Sequence, residues 1–165
     1  MKKIIYFLTF LLFFSCNSTV KEQTESVPAA EDAVIQLKSL SGTPIDLNKY
    51  KGKAIFVNLW ATWCAPCIKE MPSLVQMEDQ LRGEPVVFFY ASNEPLSKIK
   101  QFAEKKPWDL NYTQLDMPLE SLDVYGLPTT FIIDSKGQIV FKETGMRAWN
   151  SPETIEEIKS LITQN

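Results

Sequence analysis

Two cysteines separated by two residues are the part of this sequence best suited to chemistry. Ala65 and Pro66 lie between Cys64 and Cys67. In a pair with this spacing, one thiolate can attack a substrate disulfide and the second thiol can resolve the mixed disulfide. The pair could also be half of a structural zinc site, but that site needs four ligands. The chain has no histidine and only three cysteines, which favours redox chemistry.

The elements on either side of the pair predict how the cysteines are positioned. The apolar run from Ala54 to Trp60 is typical of a buried strand. Residues 65–82 have the pattern of an amphipathic helix, which Pro72 is expected to kink. Free amides and the helix dipole would favour a thiolate on Cys64 at the helix N-terminus. We therefore expect Cys64 to be the exposed nucleophile and Cys67 the buried resolving cysteine.

The composition limits the class of protein. The chain has 165 residues, 45% of them hydrophobic, and a formal net charge of −3, which suits one soluble globular domain. The acidic balance argues against a nucleic-acid partner. The lack of histidine removes the usual general base and any Ser–His or Cys–His catalytic pair. We expect no metal and no cofactor.

The first residues have the features of an export signal. Lys2 and Lys3 precede an apolar run over 4–14, which is too short to span a bilayer and fits the hydrophobic region of a signal peptide. The sequence FFSC ending at Cys16 resembles the lipobox of bacterial lipoproteins, although Phe13 stands where leucine is usual. This resemblance implies a lipid on Cys16, with an ordinary cleaved signal and an uncleaved anchor as the alternatives.

These features divide the chain into three parts. A signal peptide is expected over 1–16, a flexible tether over 17–32, where Ser, Thr, Glu, Pro and Ala prevail, and a folded domain over 33–165. The domain would then lie in the cell envelope, on the extracytoplasmic side of a membrane. If Cys16 carries lipid, Cys64 and Cys67 are the only free thiols.

The folded part alternates strands and helices. The predicted elements are strands over 34–38, 45–47 and 54–60, a helix over 65–82, a strand over 86–90, a helix over 93–106, a strand over 112–115, a helix over 119–125, strands over 131–134 and 139–143, and a helix to 163. This order predicts an α/β fold in which helices cover both faces of a mixed central sheet.

Two segments resemble a known family. The sequence WATWCAPC over 60–67, with Pro72 after it, is similar to the active-site helix of thioredoxin. The segment from Gly126 to Thr129 is similar to the cis-proline loop of that fold. The resemblance implies a thioredoxin-like fold.

Three further features resemble the TlpA/ResA-like branch, the membrane-tethered thiol–disulfide oxidoreductases. These are an N-terminal β-hairpin over 33–47, Glu70 in the pattern CxxCxxE, and a long spacing from Cys64 to Pro128 that leaves room for an inserted helix and strand.

The resemblance implies roles for residues around the cysteines. Pro128 is expected to be cis and to bring the backbone of Leu127 beside the pair, so that an extended substrate can bind there as an added strand. With Thr129, this loop and Trp63 would form the substrate-binding surface. Trp60 is expected to pack in the core. Trp108 and Trp149 could line a groove, but packing is the simpler interpretation.

Proton transfer and redox direction also follow from the resemblance. Thioredoxin has a buried acid where this chain has Asn58, so Glu70 becomes the candidate for proton exchange. A solvated helix glutamate is the alternative for Glu70. Pro66, which stiffens the turn between the cysteines, occupies the slot where the oxidant DsbA has histidine. Pro66 therefore favours a reductant, and Pro66, Pro72 and Asn58 are assigned supporting roles.

The resemblance implies a tethered reductant of disulfides in exported proteins, such as apocytochromes c or their assembly factors. A membrane thiol-relay protein would supply its electrons. A thiol oxidant or isomerase is the main alternative. A metallochaperone of this fold would need a wider cysteine spacing and a distant histidine, and a peroxidase would need a cysteine in a different motif.

Overall fold

The computed structural model describes residues 35–163. The signal peptide, Cys16, the tether and the predicted start of the domain lie outside the described residues. Within 35–163, no helix is both long and apolar enough to cross a membrane. The strands and helices are β1 (Leu37–Lys38), β2 (Pro44–Ile45), β3 (Ala54–Leu59), α1 (Ala65–Gln80), β4 (Val86–Ser92), α2 (Leu96–Lys105), β5 (Tyr112–Leu115), β6 (Thr129–Ile133), β7 (Ile139–Thr144) and α3 (Pro152–Thr163).

The strands form a seven-stranded mixed sheet in the order β2-β1-β5-β4-β3-β6-β7. β3, β4 and β5 are parallel, and all the other neighbours pair antiparallel. β3 lies between β4 and β6 and is buried along its whole length, which accounts for its unbroken apolar run. The mixed α/β sheet is confirmed. The cysteine pair follows β3 at the edge where the three parallel strands end.

All three α-helices pack on the same face of the sheet. Met71 of α1, Ile99 of α2 and Ile158 of α3 belong to one apolar core, which also holds Phe56 and Tyr90 of the sheet. The opposite face carries a second core. Leu122 of the 3-10 helix Leu119–Leu122 belongs to this core, and Leu47 and Tyr50 of the 3-10 helix Leu47–Tyr50 pack against it. Helices therefore cover both faces as predicted, with all three α-helices on one face and the two 3-10 helices on the other.

Strand order explains this arrangement. The β3-α1-β4 and β4-α2-β5 units each connect adjacent parallel strands and step in the same direction across the sheet. Crossovers of this kind are right-handed in nearly all proteins. Two right-handed crossovers that step the same way place their helices on the same face.

Besides the first strand, which is only Leu37–Lys38, two predicted elements are shorter than expected or of another type. The second strand is only Pro44–Ile45, because the Asp46 side chain accepts a hydrogen bond from the Asn48 amide at 3.0 Å and begins a 3-10 turn. The helix predicted over 119–125 is a 3-10 helix, which Asp123 ends in the left-handed region with φ 52°. Local side-chain bonding and backbone handedness override the apolar pattern at both places.

α1 continues through Pro72 as one helix, and Pro72 lies on its exposed side. The kink expected there stays a prediction. α2 begins at Leu96, later than predicted, because Pro95 has an extended ψ of 140° and lies at the N-cap instead of in the first turn.

Candidate active site

Cys64 and Cys67 form a disulfide at the N-terminus of α1. Cys64 is the N-cap residue, and its Sγ accepts a hydrogen bond from the Cys67 amide at 3.3 Å. The exposed fractions of the two residues are 3% and 1%. The prediction of an exposed Cys64 is therefore wrong for this disulfide form. Cys64 lies in the same apolar cluster as Trp60, and Leu127 packs against that cluster.

Glu94 holds the loop that leads into the cysteine pair. Its carboxylate accepts hydrogen bonds from the Thr62 amide at 2.6 Å and from the Thr62 hydroxyl at 2.8 Å, and it is only 7% exposed. β3 and β4 are parallel neighbours with Leu59 opposite Ala91, so the loops that follow them meet at one edge. The sequence pattern indicated only a helix start near Glu94. The position of Glu94 beside the site follows only from the pairing of β3 with β4.

Glu70 is a buried acceptor and not a solvated glutamate. It is 2% exposed, and its Oε1 accepts a hydrogen bond from Asn58 Nδ2 at 3.0 Å. Its Oε2 accepts from Trp149 Nε1 at 3.0 Å and from the Arg147 amide at 3.2 Å. Burial raises the pKa of Glu70 above its usual 4.5, and the three hydrogen bonds oppose that rise in part. The carboxyl therefore retains its proton to a higher pH than an exposed glutamate.

Asn58 links this carboxyl to the sheet. Its Nδ2 donates to Glu70 and also to Thr130 Oγ1 on β6, again at 3.0 Å. Its Oδ1 is buried and has no hydrogen-bond partner within residues 35–163. Asn58 therefore orients Glu70 without accepting a proton itself, as the amide chemistry predicts.

The four tryptophans take different positions. Trp60 is 1% exposed and packs against Phe102 with ring centroids 4.6 Å apart, which confirms its core position. Trp108 is half-buried and also packs against Phe102. Trp149 is 1% exposed, so its packing interpretation is confirmed. Its hydrogen bond to Glu70 was not predicted, because nothing in the sequence links two residues so far apart. Trp63 is 69% exposed beside the cysteines.

The loop over 126–129, predicted to lie at the site, has the cis peptide bond that was expected. The Leu127–Pro128 peptide bond is cis. The Pro128 carbonyl accepts from the Gly145 amide at 2.9 Å, and the Thr129 hydroxyl donates to the Gly126 carbonyl at 2.7 Å. Pro128 and Thr129 are buried, whereas Leu127 is partly exposed. The substrate-binding role of this loop stays a prediction.

Two exposed apolar side chains adjoin this loop and were not singled out in the sequence. Tyr125, 82% exposed, directly precedes Gly126. Met146, 48% exposed, follows the Gly145 that binds Pro128. Their types alone do not distinguish them from core residues, so only the fold reveals their exposure.

Known proteins with similar sequences are named for thiol–disulfide chemistry. The Redoxin family matches residues 22–162. Thiol-disulfide oxidoreductase ResA of Bacillus subtilis (strain 168) is 33% identical over 147 residues, 86% of this chain and 82% of that protein. ResA of Halalkalibacterium halodurans is 33% identical over 140 residues, 81% of this chain and 77% of that protein.

Solved structures agree on the fold. A thiol:disulfide interchange protein of the thioredoxin family from Chlorobium tepidum TLS is 26% identical, with a TM-score of 0.62 over 75% of this chain and 91% of that chain. The thioredoxin domain of a thiol-disulfide oxidoreductase from Bacteroides vulgatus, at 24% identity, has a TM-score of 0.65 over 78% of this chain and 93% of that chain. The chain therefore belongs to the Redoxin family and is a thiol–disulfide oxidoreductase of the ResA type with a thioredoxin-like fold.

Proposed function

We propose that this protein is a membrane-tethered reductant of disulfides in exported proteins, including the cysteine pairs of apocytochromes c during cytochrome c maturation. The observation that carries the proposal is the Cys64–Cys67 pair at the N-terminus of α1, with Pro66 between the cysteines. The similarity to proteins named ResA supports the reaction class.

The proposed reaction begins when the pair is a dithiol. The Cys64 thiolate attacks one sulfur of the substrate disulfide, and the other substrate sulfur leaves as a thiolate that takes up a proton. Cys67 then loses its proton and attacks the Cys64 sulfur of the mixed disulfide. The substrate leaves as a dithiol, and the Cys64–Cys67 disulfide forms. The substrate gains two electrons, which the cysteine pair loses.

The amide of Cys67 favours Cys64 as the first nucleophile. It already points at Cys64 Sγ at 3.3 Å, and the N-terminus of α1 stabilises negative charge at the same position. Cys67 lies one turn further into the helix, away from this N-terminus. These positions support attack by Cys64 and resolution by Cys67.

The cis-proline loop is the proposed docking site for an extended substrate segment. Among residues 35–163, the backbone N–H and C=O of Leu127 make no hydrogen bond, so both are available to an added strand. Exposed Trp63 and Tyr125 directly precede Cys64 and Gly126 in the chain, and exposed Met146 follows Gly145, whose amide binds Pro128. These three side chains offer apolar contacts. Such contacts suit a substrate that is not yet folded.

Glu70 is the proposed proton-exchange group. It lies one turn after Cys67 on α1 and is buried with a raised pKa, whose main cause is that burial. A carboxyl with a raised pKa holds its proton to a higher pH than an exposed glutamate and can release it when charge on the cysteine pair changes. The redox potential would then depend on the ionisation of Glu70.

The reduction potential tests the proposed direction. In the full chain with Cys16→Ser, which leaves only the active-site thiols, we expect a value near that of thioredoxin, about −270 mV, and not near that of DsbA, about −120 mV. Equilibration with glutathione or dithiothreitol, read by alkylation, measures it. Pro66→His should raise the potential. A wild-type value near that of DsbA would contradict the proposal and favour a thiol oxidant or isomerase.

The proposed anchor is a lipid on Cys16, and the proposed electron donor is a thiol-relay protein of the same membrane. Wild-type protein should fractionate with membranes, and Cys16→Ser should release it, because a lipid chain supplies the membrane affinity. If both proteins stay with the membrane, the N-terminal segment is an uncleaved anchor. If both are released, it is an ordinary cleaved signal.

A further inference from the structure

The loop between β7 and α3, residues 145–151, supplies two of the three hydrogen bonds to the Glu70 carboxyl. We propose that Trp149 and Arg147 in this loop are positioning residues that hold Glu70 and set the pH at which it exchanges its proton with the active site. The effect on the active site depends on the proposed role of Glu70. The effect on Glu70 itself does not.

The two loop donors converge on one carboxylate oxygen. Trp149 Nε1 lies 3.0 Å and the Arg147 amide 3.2 Å from Glu70 Oε2, while Asn58 binds the other oxygen. Asn58 belongs to the fully buried central strand β3, so its position is fixed by the sheet. The bonds to Oε2 depend instead on how the loop is held.

The Arg147 side chain ties the loop to both of its neighbours. Its Nη1 lies 2.8 Å from Glu143 Oε2 on β7. On α3, its Nε donates to Thr154 Oγ1 at 3.0 Å and its Nη2 pairs with Glu157. The guanidinium also lies over the Trp149 ring, 5.5 Å from the ring centroid. One side chain therefore fixes the loop backbone and covers the indole that binds Glu70.

Further contacts hold the loop against α1, the helix that carries Glu70. Asn150 Nδ2 donates to Gln76 Oε1 at 2.6 Å, and Gln80 Nε2 donates to the Asn150 carbonyl at 3.4 Å. The Trp149 ring meets Phe56 of β3 edge-on, with centroids 5.2 Å apart. The indole has little freedom to move away from Glu70.

Hydrogen-bond donors, more than the charged groups nearby, set the pKa of Glu70. Glu143 raises the pKa of Glu70, and the Arg147 guanidinium is already paired with carboxylates. Burial raises the pKa of Tyr90 well above its usual value, so this side chain stays neutral. Cys67, on α1 itself, is neutral in the disulfide. Hydrogen bonds to the charged carboxylate are thus the main effect that opposes the rise in pKa caused by burial.

Replacement of Trp149 by benzothienylalanine, a bicyclic isostere without N–H, removes one donor and keeps the packing. In the full chain, carbon-13 NMR of labelled glutamate carboxyls, with Glu70 assigned by its loss in Glu70→Gln, should show the Glu70 titration midpoint moved to higher pH. Arg147→Met should move it the same way, since the loop loses its clamp. The same isostere at Trp108, which packs away from Glu70 against Phe102, should leave the midpoint in place.

An unchanged midpoint after the Trp149 replacement would overturn the proposal. An equal shift after the Trp108 replacement would also overturn it, because the effect would then be a general one. A shifted midpoint combined with a potential that does not respond to Glu70→Gln would leave the positioning role intact. It would refute only the proton-exchange role of Glu70.

Discussion

Cys67→Ser is expected to turn the protein into a trap for its substrates. Cys64 should still attack a substrate disulfide, but the mixed disulfide should persist because no second thiol can resolve it. The substitution keeps the backbone amide that now donates to Cys64 Sγ, so the helix N-terminus keeps its effect on the nucleophile. Turnover should be lost completely. Non-reducing gels should show adducts that mass spectrometry can identify.

Cys64→Ser is the matched control, since it makes the same change at the other cysteine. It should also lose all turnover, yet accumulate no adducts. Both tests need Cys16→Ser, so that adducts through that thiol are not counted. If only Cys64→Ser traps partners, Cys67 is the nucleophile and the assigned roles are reversed.

The sequence allows much of the fold to be predicted, because the signals there are local. The apolar run before Cys64 and the cysteine spacing place a buried strand and a helix N-terminus where the structure has them. The sheet face that a helix covers is not a local property. Placing α1 and α2 required the strand order, which no periodicity supplies.

In the candidate site too, some residues can be predicted from local sequence signals and others cannot. Its cysteines, Pro128 and Glu70 belong to short motifs that can be found in the sequence. The partners of Glu70 on the β7–α3 loop lie more than 70 residues later in the chain, in a segment without a recognisable pattern. Glu70 is buried against residues this distant in the chain, so the choice between a solvated and a buried glutamate could not be made without the fold.

Glu70→Gln is expected to flatten the dependence of the reduction potential on pH. An ionised Glu70 and a cysteine thiolate repel each other, so Glu70 should bind its proton more tightly when the pair is reduced. Between its pKa values in the two redox states, reduction then takes up one additional proton. Each additional proton steepens the curve by about 30 mV per pH unit. Because burial raises the pKa of Glu70, this steeper range should lie above pH 4.5.

The substitution Glu70→Gln should leave the fold intact. The carbonyl oxygen of the introduced side chain can accept from Trp149 and Arg147 as Oε2 does now. If the Asn58 amide turns over, its Oδ1, which has no partner within residues 35–163, can accept from the amide group of the introduced side chain. A change in the curve would then report the lost ionisation and not a collapsed site.

Stability against pH provides a second readout with a definite sign. The pKa of Glu70 is higher in the folded state than in the unfolded state, so the folded state binds more protons above pH 4.5 and its stability falls as pH rises. Glu70→Gln removes this loss. The difference in free energy of unfolding, variant minus wild type, should therefore be more positive at neutral pH than at pH 4.

Glu78→Gln is the control that separates ionisation at the site from ionisation anywhere on α1. Glu78 is on the same helix, burial also raises its pKa, and Tyr90 donates to it at 2.7 Å. Glu78 lies about 16 Å from Cys67 along the helix axis. Glu78→Gln should therefore alter stability against pH and leave the potential curve unchanged. A curve that does not respond to Glu70→Gln, or responds equally to Glu78→Gln, would remove Glu70 from the proton chemistry.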